Sequence, residues 1–242
     1  MSRLHGLPHS LQESIQRRTL LKVISGLNNF DSDSVRKIAI ASDKGGADLI
    51  DLACDPKLVA LVKSISSIPI CVSAVDPLLF PAAVQAGAKV IEIGNFDSFY
   101  PEGRFFDAKE VIKLTIQTRS LLQDIPLSVT VPHTLPLDQQ CRLAVDLVDY
   151  GADIIQTEGG TSSRPLAAGV LGCIEKACPT LAAAHSIYKH LDHLGYKIPI
   201  ICASGLSSVT IPMAIATGAS GVGVGSAINN LDNEISMFAA VK

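Results

Sequence analysis

Carboxylates that recur at one place in a repeated pattern are the residues of this 242-residue chain best suited to chemistry. Four segments share a Gly-Ala start: Gly46-Ala47-Asp48-Leu49-Ile50-Asp51, Gly87-Ala88-Lys89-Val90-Ile91-Glu92, Gly151-Ala152-Asp153-Ile154-Ile155-Gln156 and Gly218-Ala219-Ser220-Gly221-Val222-Gly223. Aligned, they put Asp51, Glu92, Gln156 and Gly223 at one level. Two residues further, on the same face of a strand, come Ala53, Gly94, Glu158 and Gly225. Desolvation raises the pKa of an enclosed carboxyl group, which suits proton exchange near neutrality. Glu92 and Glu158 are therefore catalytic candidates, with Asp51 and Gln156 as substrate-binding ones. The competing reading is a polar layer tied up in hydrogen bonds or an ion pair, with no turnover.

Two further side chains could act on a substrate. Lys22 lies in the apolar run Leu20 to Ile24, where a desolvated amine could form a Schiff base or hold an anion. Matching Ser25-Gly26 to Ser204-Gly205, however, puts Val23 and Ser25 inward and turns Lys22 outward. His133 follows the fifth predicted strand in Thr130-Val131-Pro132-His133-Thr134, a position for a proton carrier. The motif Asn-Phe-Asp occurs twice at strand exits, as Asn29-Phe30-Asp31 and Asn95-Phe96-Asp97. The aspartates there can cap helices, most clearly Asp31, and Asn28 and Asn95 are read as substrate ligands. The segment Phe96 to Phe106 is the lid candidate on length. After the sixth strand, Glu158-Gly159-Gly160-Thr161 offers glycines and a hydroxyl to the same ligand.

An anion site is expected at the last two strands. Ser204-Gly205 and Gly223-Val224-Gly225-Ser226 combine glycines, which let an anion approach backbone amides, with a helix expected just after Ser226. In βα barrels this corner is the usual phosphate site. Small residues that merely relieve crowding are the alternative.

The elements that must position these groups follow from the repeat. Between the Gly-Ala segments lie Ile68-Pro69-Ile70, Ile125-Pro126-Leu127 and Ile198-Pro199-Ile200, each opening an apolar run. Proline is tolerated as the first residue of a strand. The two forms alternate and, with Leu20 to Leu27, make eight strands. Helical patterns at Asp31-x-x-Ser34, Asp107 to Gln123, Pro136 to Tyr150 and Asn229 to Val241 fill the intervals. An α/β fold results, a (βα)8 TIM barrel forming one domain over residues 1–242, with a short N-terminal helix from Ser10 to Arg18 under it. A Rossmann fold fails because Gly221-x-Gly223-x-Gly225 has the wrong spacing and lies in the last strand.

Composition narrows the partners. A net charge of −3 without a basic block speaks against nucleic acid. No apolar run approaches the ~20 residues that cross a bilayer. The six cysteines form no C-x-x-C pair and read as reduced, in a reducing compartment. No metal site is expected, since His190 and His193 lack a third ligand nearby. Homo-oligomerisation is left open.

Lys22 to Asp31, Gly94 to Tyr100 and Gln156 to Thr161 together resemble the hypothetical chloroplast open reading frame twenty-three family of cyanobacteria and algal plastids. The resemblance covers almost the whole chain. It implies a phototroph origin, a barrel, and a bacterial cytoplasm or a plastid stroma, and it carries no reaction with it. More distantly, the last two strands resemble phosphate-binding barrels of histidine and tryptophan biosynthesis and sugar-phosphate epimerases. Val90 to Gly94 resembles the strand carrying a catalytic glutamate in the tryptophan synthase α subunit, without the Pro-Phe-Ser-Asp that follows there.

The expected function is isomerase or lyase chemistry on a small phosphorylated metabolite. A non-catalytic, ligand-binding regulatory barrel is the alternative, and an FMN phosphate at the same corner is a third reading.

Overall fold

Two kinds of strand start, alternating along the chain, build the barrel. Residues 3–160 and 163–242 are described by the computed structural model. Its strands are β1 (Leu20–Ile24), β2 (Leu49–Ala53), β3 (Ile70–Ala74), β4 (Val90–Ile93), β5 (Leu127–Thr130), β6 (Ile154–Gln156), β7 (Ile200–Ala203) and β8 (Gly221–Val224). They pair in parallel in chain order, and β8 closes on β1.

Each Gly-Ala segment ends a helix and feeds a strand. Gly46, Gly87, Gly151 and Gly218 all have positive φ, the left-handed half of backbone space that a glycine adopts without strain. In the first three, the following alanine amide reaches back to a carbonyl five residues earlier, as in Ala152 N to Leu147 O at 2.8 Å, closing the helix in a Schellman turn. The next amide then joins the preceding strand, as in Asp153 N to Leu127 O at 2.8 Å. In the Ile-Pro segments the strand begins immediately after proline. Each proline carbonyl still accepts from its neighbour: Ile50 N to Pro69 O and Ile91 N to Pro126 O at 3.0 Å, Ile155 N to Pro199 O at 3.1 Å. The missing proline N–H thus costs no ladder bond.

The helices are α1 (His9–Arg17), α2 (Ser32–Gly45), α3 (Pro56–Ile65), α4 (Phe80–Ala86), α5 (Ala108–Leu121), α6 (Leu137–Asp149), α7 (Gly169–His193), α8 (Ile211–Ala216), α9 (Ser226–Asn229) and α10 (Glu234–Val241). Asp31 caps α2 through the amides of Asp33 and Ser34, and Asp107 caps α5 through Glu110 N. The single closing helix expected from Asn229 to Val241 is instead two, because the Asn233 side chain accepts from Ser236 N and starts a new one.

Two apolar cores result. One lies between the sheet and the outer helices, around Val23, Ile50, Val72, Ile91, Val129 and Ile155. The other fills the lower lumen, where Leu20, Leu49, Cys71, Val90, Ile154 and Ile201 meet Leu7, Leu11 and Ile15 from the N-terminal segment and α1. Burying each of those three plugs is worth about 1.5–3 kcal/mol. The N-terminal helix therefore closes the bottom of the barrel, as its amphipathic pattern suggested.

Among the described residues no helix is long and apolar enough to cross a membrane. All six cysteines are free; Cys54, Cys71 and Cys202 are buried, and Cys178 is exposed.

Candidate active site

Above the apolar plug the lumen turns polar. Lys22, Asp51, Ser73, Glu92, Ser128 and Gln156 are all buried there, on β1 to β6. Lys22 Nζ lies 2.7 Å from Glu92 Oε2, 3.0 Å from Gln156 Oε1 and 3.0 Å from Asp51 Oδ2. The Asp51 contact is one of charge, since Oδ2 lies out of line for a hydrogen bond. Glu92 also accepts from Ser128 Oγ at 2.7 Å and Gln156 Nε2 at 2.6 Å, while Ser73 Oγ donates to Asp51 at 2.7 Å.

Burial works against the Lys22 charge, but Asp51 and Glu92 outweigh it and raise the pKa, so the ammonium is held. Burial raises the Glu92 pKa, opposed by Lys22 and reinforced by Asp51. An ammonium held this firmly is a poor nucleophile, which counts against a Schiff base.

Lys22 thus points inward, correcting the outward orientation expected from parity. The match of Ser25-Gly26 to Ser204-Gly205 places the strands properly. The error lay in taking Ser204 as a lumen residue. Ser204 has φ 74° and has already left β7, whose lumen residues are Ile201 and Ala203.

One level higher, at the exits of β4, β5 and β6, a second cluster forms. Glu158 and Asp97 are 3% and 7% exposed, and the His133 side chain 17%. Glu158 Oε1 accepts from Tyr100 OH at 2.5 Å and from His133 N at 3.2 Å, and His133 Nδ1 is 3.2 Å away. Glu158 Oε2 accepts from Asp97 N at 3.2 Å. Asp97 Oδ2 takes the Ser204 hydroxyl at 2.8 Å and Gly159 N at 3.3 Å, and Oδ1 is 3.6 Å from His133 Nδ1. Burial raises the Glu158 pKa, with Asp97 adding to the rise and His133 and Tyr100 opposing it. At His133 burial disfavours the charged ring, but the hydrogen bond and charge of Glu158, with Asp97, raise its pKa.

Local sequence explains this convergence. Asn95 takes a left-handed conformation with φ 61°, so the chain turns sharply after β4 and brings Asp97 over the lumen. In the segment expected as a lid the two ends are packed down, Phe96 and Phe106 being buried with ring centroids 4.4 Å apart and Arg104 over Phe106, while Pro101 to Phe105 is exposed. Tyr100 stacks on Phe105 and meets the His133 ring edge-on. The two Asn-Phe-Asp motifs diverge. Asp31 is a helix cap, whereas Asp97 lies inside a short 3-10 turn and joins the site.

Other expected ligands are distributed unevenly. Asn28 is exposed, and its neighbour Asn29 is the one that reaches Ser25 and Ser34. Asn95 is half-buried, with an amide nitrogen that is buried and makes no hydrogen bond. Gly159 and Gly160 are buried, and Thr161 lies outside the described residues.

At the expected phosphate corner, Gly160 and Gly205 pack backbone to backbone. A Cβ on Gly160 would stand 2.3 Å from the Gly205 Cα. Gly223 is closely packed: a Cβ there would strike Ala203 Cβ at 2.7 Å and Ile24 Cδ1 at 2.9 Å inside the lumen. Gly225 is half-buried and Ser226 exposed at the β8 exit. The helix after it, α9, has only 4 residues, too few peptide dipoles to supply the field expected there.

The sequence reading missed Asp97 and Tyr100 as members of the site, and Ser73 and Ser128 as parts of the lumen layer. It also expected no metal site. The structure brings Asp97, His133 and Glu158 together with one potential ligand atom each, all within 4.8 Å of one another.

Comparison with known proteins adds the following. The family described as a protein of unknown function, DUF561, matches residues 7–242. Curated relatives include "Uncharacterized protein ycf23" of Cyanophora paradoxa, 45% identical over 95% of this chain and 93% of that protein. The Pyropia yezoensis ycf23 is 39% identical over 90% of this chain and 78% of its own. These relatives are plastid-encoded. Among solved structures, 3-hexulose-6-phosphate synthase superposes with a TM-score of 0.60 at 14% identity, covering 92% of this chain and 100% of that one. A (S)-3-O-geranylgeranylglyceryl phosphate synthase from Thermoplasma acidophilum, in complex with sn-glycerol-1-phosphate, gives 0.61 at 11% identity, covering 97% and 96%. At these identities the likeness is one of fold.

Proposed function

The chain belongs to the DUF561 family, alongside the plastid ycf23 proteins, and on that footing we propose that it is an isomerase or lyase acting on a small phosphorylated metabolite at the C-terminal end of its barrel. The observation that carries this reading is the convergence of Asp97, His133, Glu158 and the Tyr100 hydroxyl at the strand exits. Active sites of TIM barrels are built at this end. Breaking a bond beside a carbonyl builds negative charge on the carbonyl oxygen, and a positively charged or protonated group must meet it. The Glu158–His133 pair offers such a group among mostly buried side chains, where a charge acts strongly.

Glu92, by contrast, is closed in by Lys22, Gln156 and Ser128, so the chemistry is assigned to Glu158 alone of the two glutamates. The phosphate is assigned to the loops around Ser204, Gly205, Gly225 and Ser226. Solved barrels of this shape, named for hexulose-6-phosphate and for a glyceryl phosphate, support that substrate class.

A thermal-shift screen against phosphorylated metabolites tests the binding half. At least one phosphorylated compound is expected to raise the melting temperature where its dephosphorylated form does not. With that ligand as substrate, Glu158→Gln is expected to lower kcat by about 100-fold or more while the shift persists. Undiminished turnover in the variant, or no stabilising phosphorylated compound, would defeat the reading.

A further inference from the structure

We infer that Asp97, His133 and Glu158 form a binding site for a divalent transition-metal cation. The inference rests on the reading above for the place of the reaction and its substrate class, and it identifies the group that meets the developing charge.

Distances come first. His133 Nδ1 stands 3.2 Å from Glu158 Oε1 and 3.6 Å from Asp97 Oδ1. For an ion bound at about 2.1 Å to each ligand, neighbouring donors are separated by roughly 3.0 Å in octahedral and 3.4 Å in tetrahedral geometry. The three side chains therefore already stand close to the spacing of donors around one ion.

Charge is the second argument. The carboxylates of Asp97 and Glu158 are both more than nine-tenths buried. Among the described residues, the basic group in ion-pair contact with them is His133. An imidazolium balances one negative charge and, being protonated, cannot ligate. A dication balances both and leaves the ring neutral with Nδ1 as a donor.

The lumen provides an internal control. Asp51, Cys71 and Glu92 satisfy the same distance criterion, but a lysine ammonium already sits between the two carboxylates there. Convergence alone therefore selects both clusters; in the upper one the group between the carboxylates is an imidazole, itself a metal-ligand type, and not an ammonium.

The carboxylates are also held in place. Tyr100 OH donates to Glu158 Oε1, and Ser204 Oγ and Gly159 N donate to Asp97 Oδ2, the oxygen other than the one that faces His133 Nδ1. Outer hydrogen bonds of this kind orient metal ligands. One nitrogen and two carboxylate donors without a thiolate suit Mn2+, Fe2+, Co2+ or Zn2+ better than Mg2+ or Ca2+, which take oxygen ligands. A substrate offering a carbonyl or hydroxyl oxygen would complete the ion's coordination.

The experiment uses tag-free protein treated with a chelator and then titrated with Co2+, followed by visible absorbance and calorimetry, with Zn2+ as competitor. One equivalent is expected to bind with ligand-field bands. Asp97→Ala and His133→Ala should each weaken binding by about 100-fold while keeping wild-type circular dichroism. Asp31→Ala, in the matching motif at the β1 exit, should bind as wild type. Absence of Co2+ and Zn2+ binding, or binding indifferent to both ligand variants, overturns the site. If the ion binds but no phosphorylated compound does, the metal site stands and the functional reading falls. If a phosphorylated substrate turns over equally well in chelator, the functional reading stands and the metal site falls.

Discussion

The lumen layer and the strand-exit layer each gather two buried carboxylates, and they differ in what stands between them. Below, Asp51 and Glu92 close on Lys22, whose ammonium is covalently part of β1 and lies 2.7–3.0 Å from both. Above, Asp97 and Glu158 close on His133, whose charge depends on a proton. A fixed cation in a fully enclosed layer makes a structural element that chemistry cannot easily disturb. An adjustable one, on a side chain that is 17% exposed, can exchange its proton. The difference teaches that raised carboxyl pKa values do not by themselves mark a reaction centre. Glu92 and Glu158 both show them, and only Glu158 faces a group that can change state.

The comparison breaks most visibly if the lower layer is not structural. Lys22→Met should cost about 3–5 kcal/mol, because two carboxylates remain buried without their cation. The sign of its pH dependence follows from the shifts. In the wild type the raised Lys22 pKa makes its contribution complete below the ordinary lysine range, and the contribution is lost only as pH rises through the folded value. In the variant, burial drives Glu92 to hold a proton that the unfolded chain releases above about pH 4.3. Stability should then fall as pH rises, so the melting-temperature deficit is larger at pH 8 than at pH 5.5. A deficit that is absent, or larger at the acid end, would contradict the assignment.

A smaller effect sharpens the upper layer. Tyr100→Phe removes the 2.5 Å hydrogen bond to Glu158 and should cost about 1.5–3 kcal/mol in urea unfolding, the scale of bonds to charged groups. The same change should perturb turnover or metal affinity, which Lys22→Met leaves intact in whatever fraction stays folded. The smallest effect separates the twin motifs. Asp31→Ala should cost about 1 kcal/mol, the value of a helix cap, and leave ligand affinity unchanged. Asp97→Ala should show the reverse balance.

Much of this architecture was legible because it rests on local backbone chemistry. A glycine that ends a helix and a proline that can only open a strand are punctuation marks, and their alternation predicted the barrel without side-chain packing. The levels of Asp51, Glu92 and Gln156 were legible for the same reason, since they follow from strand period. What escaped depended on where a strand stops. Ser204 leaves β7 in a left-handed conformation that single-residue alternation does not foresee, and this one residue inverted the expected face of Lys22. Asp97 escaped because its role needs a left-handed Asn95, and nothing in Asn-Phe-Asp distinguishes it from the capping copy at Asp31. At Gly223 absence of a side chain serves close packing, seen against Ala203 and Ile24, and ligand approach equally well, so sequence alone does not separate the two.

The stopper formed by Leu7, Leu11 and Ile15 has a kinetic corollary. That hydrocarbon seals the lower end of the barrel, so on the isomerase or lyase reading proposed above substrate and product would share the end beside His133 and Glu158, and product inhibition is expected to be competitive with substrate.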